Sequence, residues 1–417
     1  MHDYLVARAV QYTSLGPVRI GPRSDAAPPV IIWVGVAPGS ISGERGVEIA
    51  VGLRALLLAN DITDVHVEIC ESLVNPLAKM YKPILESDDT FKKQGTATLF
   101  FIDPTKPGKL FLIVPKHVVF CADEKEYFED PGSASRKNVI LCSEDGFEAR
   151  IEDIEREIST CRDRIDRLRA RLMEADEIRD PEEAEMERKA VVRHLKTQGE
   201  AIEPLEKFLR QVKRDWKDPK DRIIGHVVYS PPLVHSFGKD KFTLDLAVVE
   251  VHSDKVDSTN FVGNAIDLGD IDLGRLNASV RPSRVVFPGN RLLRLRDTLS
   301  IDEMRSHSSE DAQGGGPPTI VLKRGCTSRL TFGCLHNIRS VLRQSPMVKP
   351  TEYSREFAVL TRAPKGERGE PFSADGDSGS VVINSSCTVV GMVTSGAEHR
   401  QNPTPHMSHP SLSSLSI

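Results

Sequence analysis

Long apolar runs, patterned cysteines and a strong excess of either charge are all missing from this chain. No stretch of about 18 apolar residues occurs, so the sequence predicts no membrane span. The opening residues, MHDYLVARAVQYTSLGPVRI, have no apolar core of the signal-peptide kind. Cysteine is sparse and odd in number: Cys70, Cys121, Cys142, Cys161, Cys326, Cys334 and Cys387. None of these makes a CxxC metal or redox spacing, and we expect a reduced, intracellular and cytoplasmic setting. The net charge of −5 carries no basic excess, so no nucleic-acid partner is expected. No metal and no organic cofactor is implied, because His399, His406 and His409 fall in a polar tail without a frame to hold an ion. The triplets Asn277-Ala-Ser279 and Asn384-Ser-Ser386 read as chance glycosylation words in a chain that is not exported.

What is present is ample material for a core. Of 417 residues, 39% are hydrophobic and 28% charged, which predicts two or three domains. Residues 1–27 show no period and read as an N-terminal extension. Residues 28–85 read as a small β-α-β unit: an apolar strand VIIWVGV from Val30 to Val36, a helix capped by Ser42 and reaching about Ala59, and an alternating strand from Asp64 to Ile69. Gly35, Gly39 and Gly43 invite a phosphate-loop reading. They do not spell GxGxxG, however, and a tight turn with a helix cap is the better account.

From Thr96 short β patterns take over, and at Ala149 they give way to helix. Ile151, Ile154, Ile158, Cys161, Ile165, Leu168 and Leu172 step by three and four. Val191, Leu195, Gln198, Ile202, Leu205, Leu209, Val212 and Trp216 repeat the rhythm after Asp180-Pro181. Residues 149–217 therefore predict an antiparallel helical hairpin, kinked at Pro204. It would bind a partner helix, self-associate or simply close on its own seam. Strand patterns resume after Arg222. Asp297 to Pro318 reads as a long surface loop, and residues 399–417 as a disordered tail.

Three words carry chemistry. Asp375-Gly-Asp-Ser-Gly-Ser380 places a hydroxyl, Ser378, on a glycine-flanked turn, the setting acyl transfer needs, though a plain Ser/Asp turn looks the same. His117 follows the apolar strand LFLIV. Imidazole there serves as general base, or is satisfied within a turn. Asp245 lies inside the apolar run LDLAVVEV. A buried carboxylate needs a partner, either an imidazole N–H or backbone amides.

Together, in the order His117, Asp245, Ser378, these words resemble the trypsin-like, chymotrypsin-fold serine proteases. The segment Lys323-Arg-Gly-Cys-Thr-Ser-Arg-Leu-Thr-Phe-Gly333 is similar to the Lys-x-Gly-x-Thr-Thr-Gly-x-Thr-x-Gly word of bacterial and fungal branches. More narrowly, the chain looks like intracellular trypsin-like peptidases predicted in mushroom-forming fungi. The resemblance covers residues 92–145 and 222–398, within a protease domain of 92–398. It implies a mainly β fold of two six-stranded barrels, interrupted by the helical hairpin. It also implies a His117-Asp245-Ser378 triad and an oxyanion hole from the amides of Gly376 and Ser378. Substrate would be bound at Phe372, Thr394, Ser395 and Gly396, and the substrate would be a polypeptide.

Four features depart from the family words: Pro115-Lys116 before the histidine, Arg329 in place of glycine, Phe372 in place of a carboxylate, and the polar C-terminus. Phe372 argues against selection of Lys or Arg. The C-terminus predicts a second barrel short of its closing strand. Two functions follow: a serine endopeptidase, or a protease-fold protein without activity that works as an interaction module through the hairpin.

Overall fold

The structure, a computed structural model, describes residues 1–19, 29–77, 79–81, 92–120, 126–130, 132, 136–269, 287–306, 319–343, 352–361, 371–399 and 412–416. The chain divides into two compact units. One holds residues 1–80, 93–137 and 226–417, and the other holds 81–92 and 138–225.

The first unit opens with helix α1 (His2–Ala7), β1 (Tyr12–Arg19), β2 (Val30–Val36), helix α2 (Gly43–Leu58) and β3 (His66–Pro76). The Ser42 hydroxyl accepts the Arg45 amide at 3.2 Å and caps α2. Ile49, Leu53 and Leu57, spaced by four, are the buried residues of α2. Ile49 and Leu53 join Leu5, Tyr12, Leu15, Val34 and Val36 in one apolar cluster over the sheet. β2 and β3 run parallel, so the β-α-β expectation holds locally. The loop before α2 shows no free cradle at Gly39, whose amide donates to Glu71 Oε1 at 2.8 Å.

The expected boundaries need correction. Residues 1–27 are not a featureless extension, because α1 and β1 belong to the core, while 20–28 lie outside the described residues. The β-α-β unit is not a separate domain either. Its strands continue the main sheet, and its expected end, from 82 to 85, lies outside the described residues. The reason is that β1, antiparallel to β2, also offers its other edge to a later strand.

The remaining strands of this unit include β4 (Leu99–Phe101), β5 (Leu110–Val114), β6 (Phe128–Glu129), β7 (Ile223–Ser230, whose first three residues fall in the other unit), β8 (Phe242–Leu244) and β9 (Ala247–Val251). They go on with β10 (Thr319–Gly325), β11 (Arg329–Leu335), β12 (Ser340–Leu342), β13 (Ser354–Thr361), β14 (Val381–Asn384), β15 (Val389–His399) and β16 (Leu412–Ser416). One sheet runs β4-β5-β9-β7-β6. The ten-stranded sheet runs β11-β10-β14-β15-β16-β13-β12-β1-β2-β3. β13 also pairs with β11, so six strands close on themselves, and β3 also pairs with β15. Val321, Val359, Val382 and Val393 fill the cluster within that ring, while Leu322, Val381 and Ile383 supply a second cluster. Successive residues of β10 and β14 thus bury opposite faces.

The C-terminal residues are a second correction. Residues 400–411 lie outside the described residues, but Leu412–Ser416 is a strand inserted between β13 and β15, pairing with both. Open edges on two strands outweigh a polar composition here, since each donates and accepts a full ladder of backbone hydrogen bonds. The expected Asp297–Pro318 loop likewise contains a short helix, Ile301–Ser306, with Met304 buried; 307–318 lie outside the described residues.

The second unit holds the helical hairpin. A single helical turn, α3 (Lys116–Val119), belongs to the first unit; the hairpin helices are α4 (Glu144–Glu174) and α5 (Pro181–Asp215). Ser143 caps α4, and Asp180, followed by Pro181 in the first turn, caps α5. Pro204 lies inside α5 without ending it. Ile158, Cys161, Ala184 and Val191 are buried. Exposed pairs such as Arg162–Glu206 at 2.5 Å and Arg171–Glu187 at 2.6 Å flank them, each worth at most about 1 kcal/mol. No helix among the described residues is long and apolar enough to cross a membrane.

The core also sets an acid limit. Burial, aided by the charge of Arg19, lowers His336 from 6.5 to about 4. The folded form holds this ring neutral, while the unfolded chain takes up a proton below about 6.5. Stability is therefore lost as pH falls from about 6.5 towards 4. In urea titrations, His336→Gln should lose less stability than wild type between pH 7.5 and 4.5, by up to about 3 kcal/mol. Parallel losses in both proteins would remove this assignment.

Candidate active site

Three chain segments bring the site together. β5 ends at Val114, and Pro115, with φ −62° and ψ 137°, starts the single turn α3 that carries His117. Beside it Lys116 is buried, its Nζ donating to the Pro231 carbonyl at 2.9 Å and to the Glu126 carbonyl. Lys116 thus ties the histidine turn to two backbone carbonyls. β9 pairs antiparallel with β5, with Ala247 opposite Val114, which sets Asp245 against the His117 turn. Asp245 Oδ1 accepts the His117 amide at 3.0 Å, and Oδ2 bonds the ring Nδ1. Burial alone pushes the Asp245 carboxyl up. The His117 charge, the ring hydrogen bond and the amides of His117 and Lys116 together outweigh it and hold the carboxyl below its usual range.

A carboxylate only accepts, so the proton of the pair sits on Nδ1 and leaves Nε2 as an acceptor. Nε2 stands 2.7 Å from Ser378 Oγ. The chain Asp245–His117–Ser378 is therefore continuous.

Ser378 sits on a turn that only glycine permits at its flanks. Gly376 has φ 101° and Gly379 φ 93°, and a Cβ on Gly379 would stand 1.9 Å from the Thr96 carbonyl. The turn is fixed by Asp377, which is wholly buried. Its carboxylate accepts from Lys323 Nζ at 3.0 Å, Ser328 Oγ at 2.5 Å, and the amides of Thr327 (2.9 Å), Ser328 (3.2 Å) and Ala374 (3.0 Å). Burial pushes Asp377 up, but the Lys323 charge and these hydrogen bonds carry it below the usual range. Burial pulls Lys323 down, opposed by the Asp377 charge. Thr96 adds two more ties, its amide to the Ser378 carbonyl at 2.6 Å and its hydroxyl to the Gly376 carbonyl at 3.1 Å.

Lys323, Ser328 and Thr96 were not singled out from the sequence as site residues. The Lys323–Gly333 word contained the signal, since an apolar strand that buries a lysine must supply an anion to meet it. Within the same word Arg329 has φ 60°, the left-handed region that explains why a glycine suits this position.

The amides of Gly376 and Ser378 converge on one point. Both donate to the Leu77 carbonyl, at 2.6 and 3.2 Å. Leu77 itself follows β3, and β3 lies antiparallel to β15 with Pro76 opposite Ser395 and Asn75 opposite Gly396. The Leu77 amide donates to the Thr394 carbonyl at 3.4 Å. A Cβ on Gly396 would stand 3.1 Å from Leu77 Cδ2, so the glycine leaves room for that side chain. Leu77 is 4% exposed and shares its apolar cluster with Phe372 and Val393. All eight residues expected at the site, His117, Asp245, Ser378, Gly376, Phe372, Thr394, Ser395 and Gly396, thus gather around one turn and one strand. The segment that fills this place was not foreseen.

A scan against protein-family models finds no match for this chain, and a search of curated proteins returns no similar sequence.

The buried pair supports a stability test. Lys323→Met leaves Asp377 without its counter-charge and should cost about 3–5 kcal/mol in urea unfolding. Adding Asp377→Asn should recover part of that loss. Additive losses in the double variant would show that the two side chains do not act as a pair.

Proposed function

We propose that the chain is a serine endopeptidase that hydrolyses polypeptides through an acyl-enzyme on Ser378. One observation carries the reading: an unbroken relay from a buried carboxylate through imidazole to a hydroxyl, ending beside two amides that converge on a carbonyl oxygen. His117 Nε2 takes the Ser378 proton as Oγ attacks the peptide carbonyl, then gives it to the leaving amine. Asp245 fixes the tautomer and steadies the imidazolium. The amides of Gly376 and Ser378 hold the oxyanion, and loss of one such donor typically costs ~10²–10³ in rate. The steps need no metal ion or organic cofactor.

Membership of the trypsin-like proteases, with two barrels, is part of the same proposal. It is supported by the chain order of the three residues and by the closed six-strand ring. It is supported further by a second sheet that supplies His117 and Asp245 while the ring supplies Ser378. The apolar setting of Phe372 favours an apolar side chain before the cut, and Thr394 to Gly396 offer the edge for substrate backbone. A binding module without activity drew its support from a missing closing strand, and β16 occupies that position.

The test is best run where the site is vacated. Leu77→Asp places a carboxylate in an apolar pocket and should expel the segment. This variant should be labelled by a fluorophosphonate at Ser378, and Leu77→Asp with Ser378→Ala should not be. Equal labelling of the two would sink the assignment. In the same background, Asp245→Asn should slow peptide hydrolysis by ~10⁴-fold.

A further inference from the structure

We infer that the chain is its own first substrate, and that the bond cut is Leu77–Ala78. The inference rests on the peptidase reading above and deepens it. Ala78 lies outside the described residues; Leu77 and the residues before it are described.

Four independent features place residues 72–77 as the acyl half of a substrate. Their backbone forms an antiparallel ladder with β15, from Ser72 opposite His399 to Pro76 opposite Ser395. The last amide, of Leu77, bonds the Thr394 carbonyl. The Leu77 side chain is sunk in the apolar cluster that contains Phe372, over a glycine at position 396. The Leu77 carbonyl oxygen takes both amides of the Ser378 turn. An ordinary core strand has no reason to end with its carbonyl on two amides that neighbour a nucleophile. The residue whose amide holds this oxygen also carries Oγ. The carbonyl carbon, ~1.2 Å from its oxygen, is thereby brought within reach of the hydroxyl.

The chemistry balances with water as the only co-reactant. Oγ of Ser378 bonds the Leu77 carbonyl carbon as its proton passes to His117 Nε2. The C–N bond to Ala78 breaks, and the proton goes from His117 to the new Ala78 amine. Water then adds to the ester carbon, leaving a Leu77 carboxylate and restoring the Ser378 hydroxyl. The product half does not leave readily, because β3 is paired along β2 from His66 to Glu71 and along β15 from Ser72 to Pro76. Self-cleavage therefore yields two chains held in one fold, with the acyl half still in the cleft. The same contacts assign the primary specificity: a leucine-sized apolar residue before the cut.

The full chain and its Ser378→Ala variant, purified in reducing buffer at pH 7.5, separate the outcomes by mass in denaturant and by native size exclusion. The expected result is that wild type resolves into a chain ending at Leu77 and one beginning at Ala78, which co-elute natively, while Ser378→Ala stays whole. Leu77→Gly should slow the cut at least ~10-fold, because it withdraws the buried anchor but leaves the carbonyl. It also serves where Leu77→Asp does not fold. If wild type stays whole while the Leu77→Asp or Leu77→Gly protein is labelled at Ser378, the segment is an inhibitor, and self-cleavage is overturned with the peptidase reading intact. If wild type stays whole and neither folded variant is labelled, both readings fall. Cutting that persists in Ser378→Ala assigns the break to another protease and also overturns the inference.

Discussion

An ionised carboxylate with no exposure to water, Asp377, is the constraint on which the site depends. Left alone it would be too costly to bury, and it is met by one ammonium, one hydroxyl and three amides. Those partners come from the β10–β11 hairpin and from the serine turn itself. Satisfying Asp377 therefore locks the turn in the shape that aims the Gly376 and Ser378 amides at one point. The lysine that makes this affordable is fixed on a central strand, so the turn needs no newly freed chain terminus to supply the positive charge. The conformation is set by folding, which is what an intramolecular event on the same chain requires.

How much could be read in advance follows from the range of the interactions. The three reactive words were legible because each is a local pattern with a local physical reason: a hydroxyl between glycines, a histidine after an apolar strand, an aspartate inside one. The helical hairpin was legible because its period is internal, and the Ser42 cap because it acts three residues away. The occupancy of the cleft was not. Nothing in Leu73-Val-Asn-Pro-Leu77 distinguishes a strand that ends in a core from one that ends under two amides; only the pairing with β15, more than three hundred residues on, decides it. The closing strand Leu412–Ser416 was hidden for a related reason. Its composition is polar, and its backbone pairs with two waiting edges, β13 and β15, that lie outside its own segment. Lys323 stood in between: its word was recognised, but its partner was the residue beside the nucleophile.

The N-terminal strands gain a role from this arrangement. β1, β2 and β3 extend the sheet that also forms the six-strand ring, and α1 and α2 cover them with an apolar cluster of their own. Such a layer would be an ordinary extension if β3 stopped at the sheet edge. Instead the second half of β3 crosses from β2 to β15, so the fold of the N-terminal layer determines which residue reaches the Ser378 turn. A shift of one residue would replace Leu77 in the pocket and turn every side chain of the ladder to the opposite face.

If Leu77–Ala78 is the bond cut, as proposed, the tight seating of β3 on β15 bears on what the site can do afterwards. Ladder contacts to β15 and burial of Leu77 are present in the intact chain, and on the proposed cut they would persist in the product. Interactions shared equally by bound substrate, transition state and product do not lower the chemical barrier; they raise occupancy and retard release. The contacts that would differ are those of the proposed oxyanion, whose charge would strengthen both amide bonds as the tetrahedral carbon forms. On the proposed peptidase reading the work divides: the sheet would supply position and retention, and the turn held by Asp377 would supply the oxyanion contacts. Such a division would suit the one intramolecular cut proposed above. On the proposed reading, turnover on other chains would wait on departure of strand β3 from the edge it shares with β15, and the rate of that opening would govern access to the cleft.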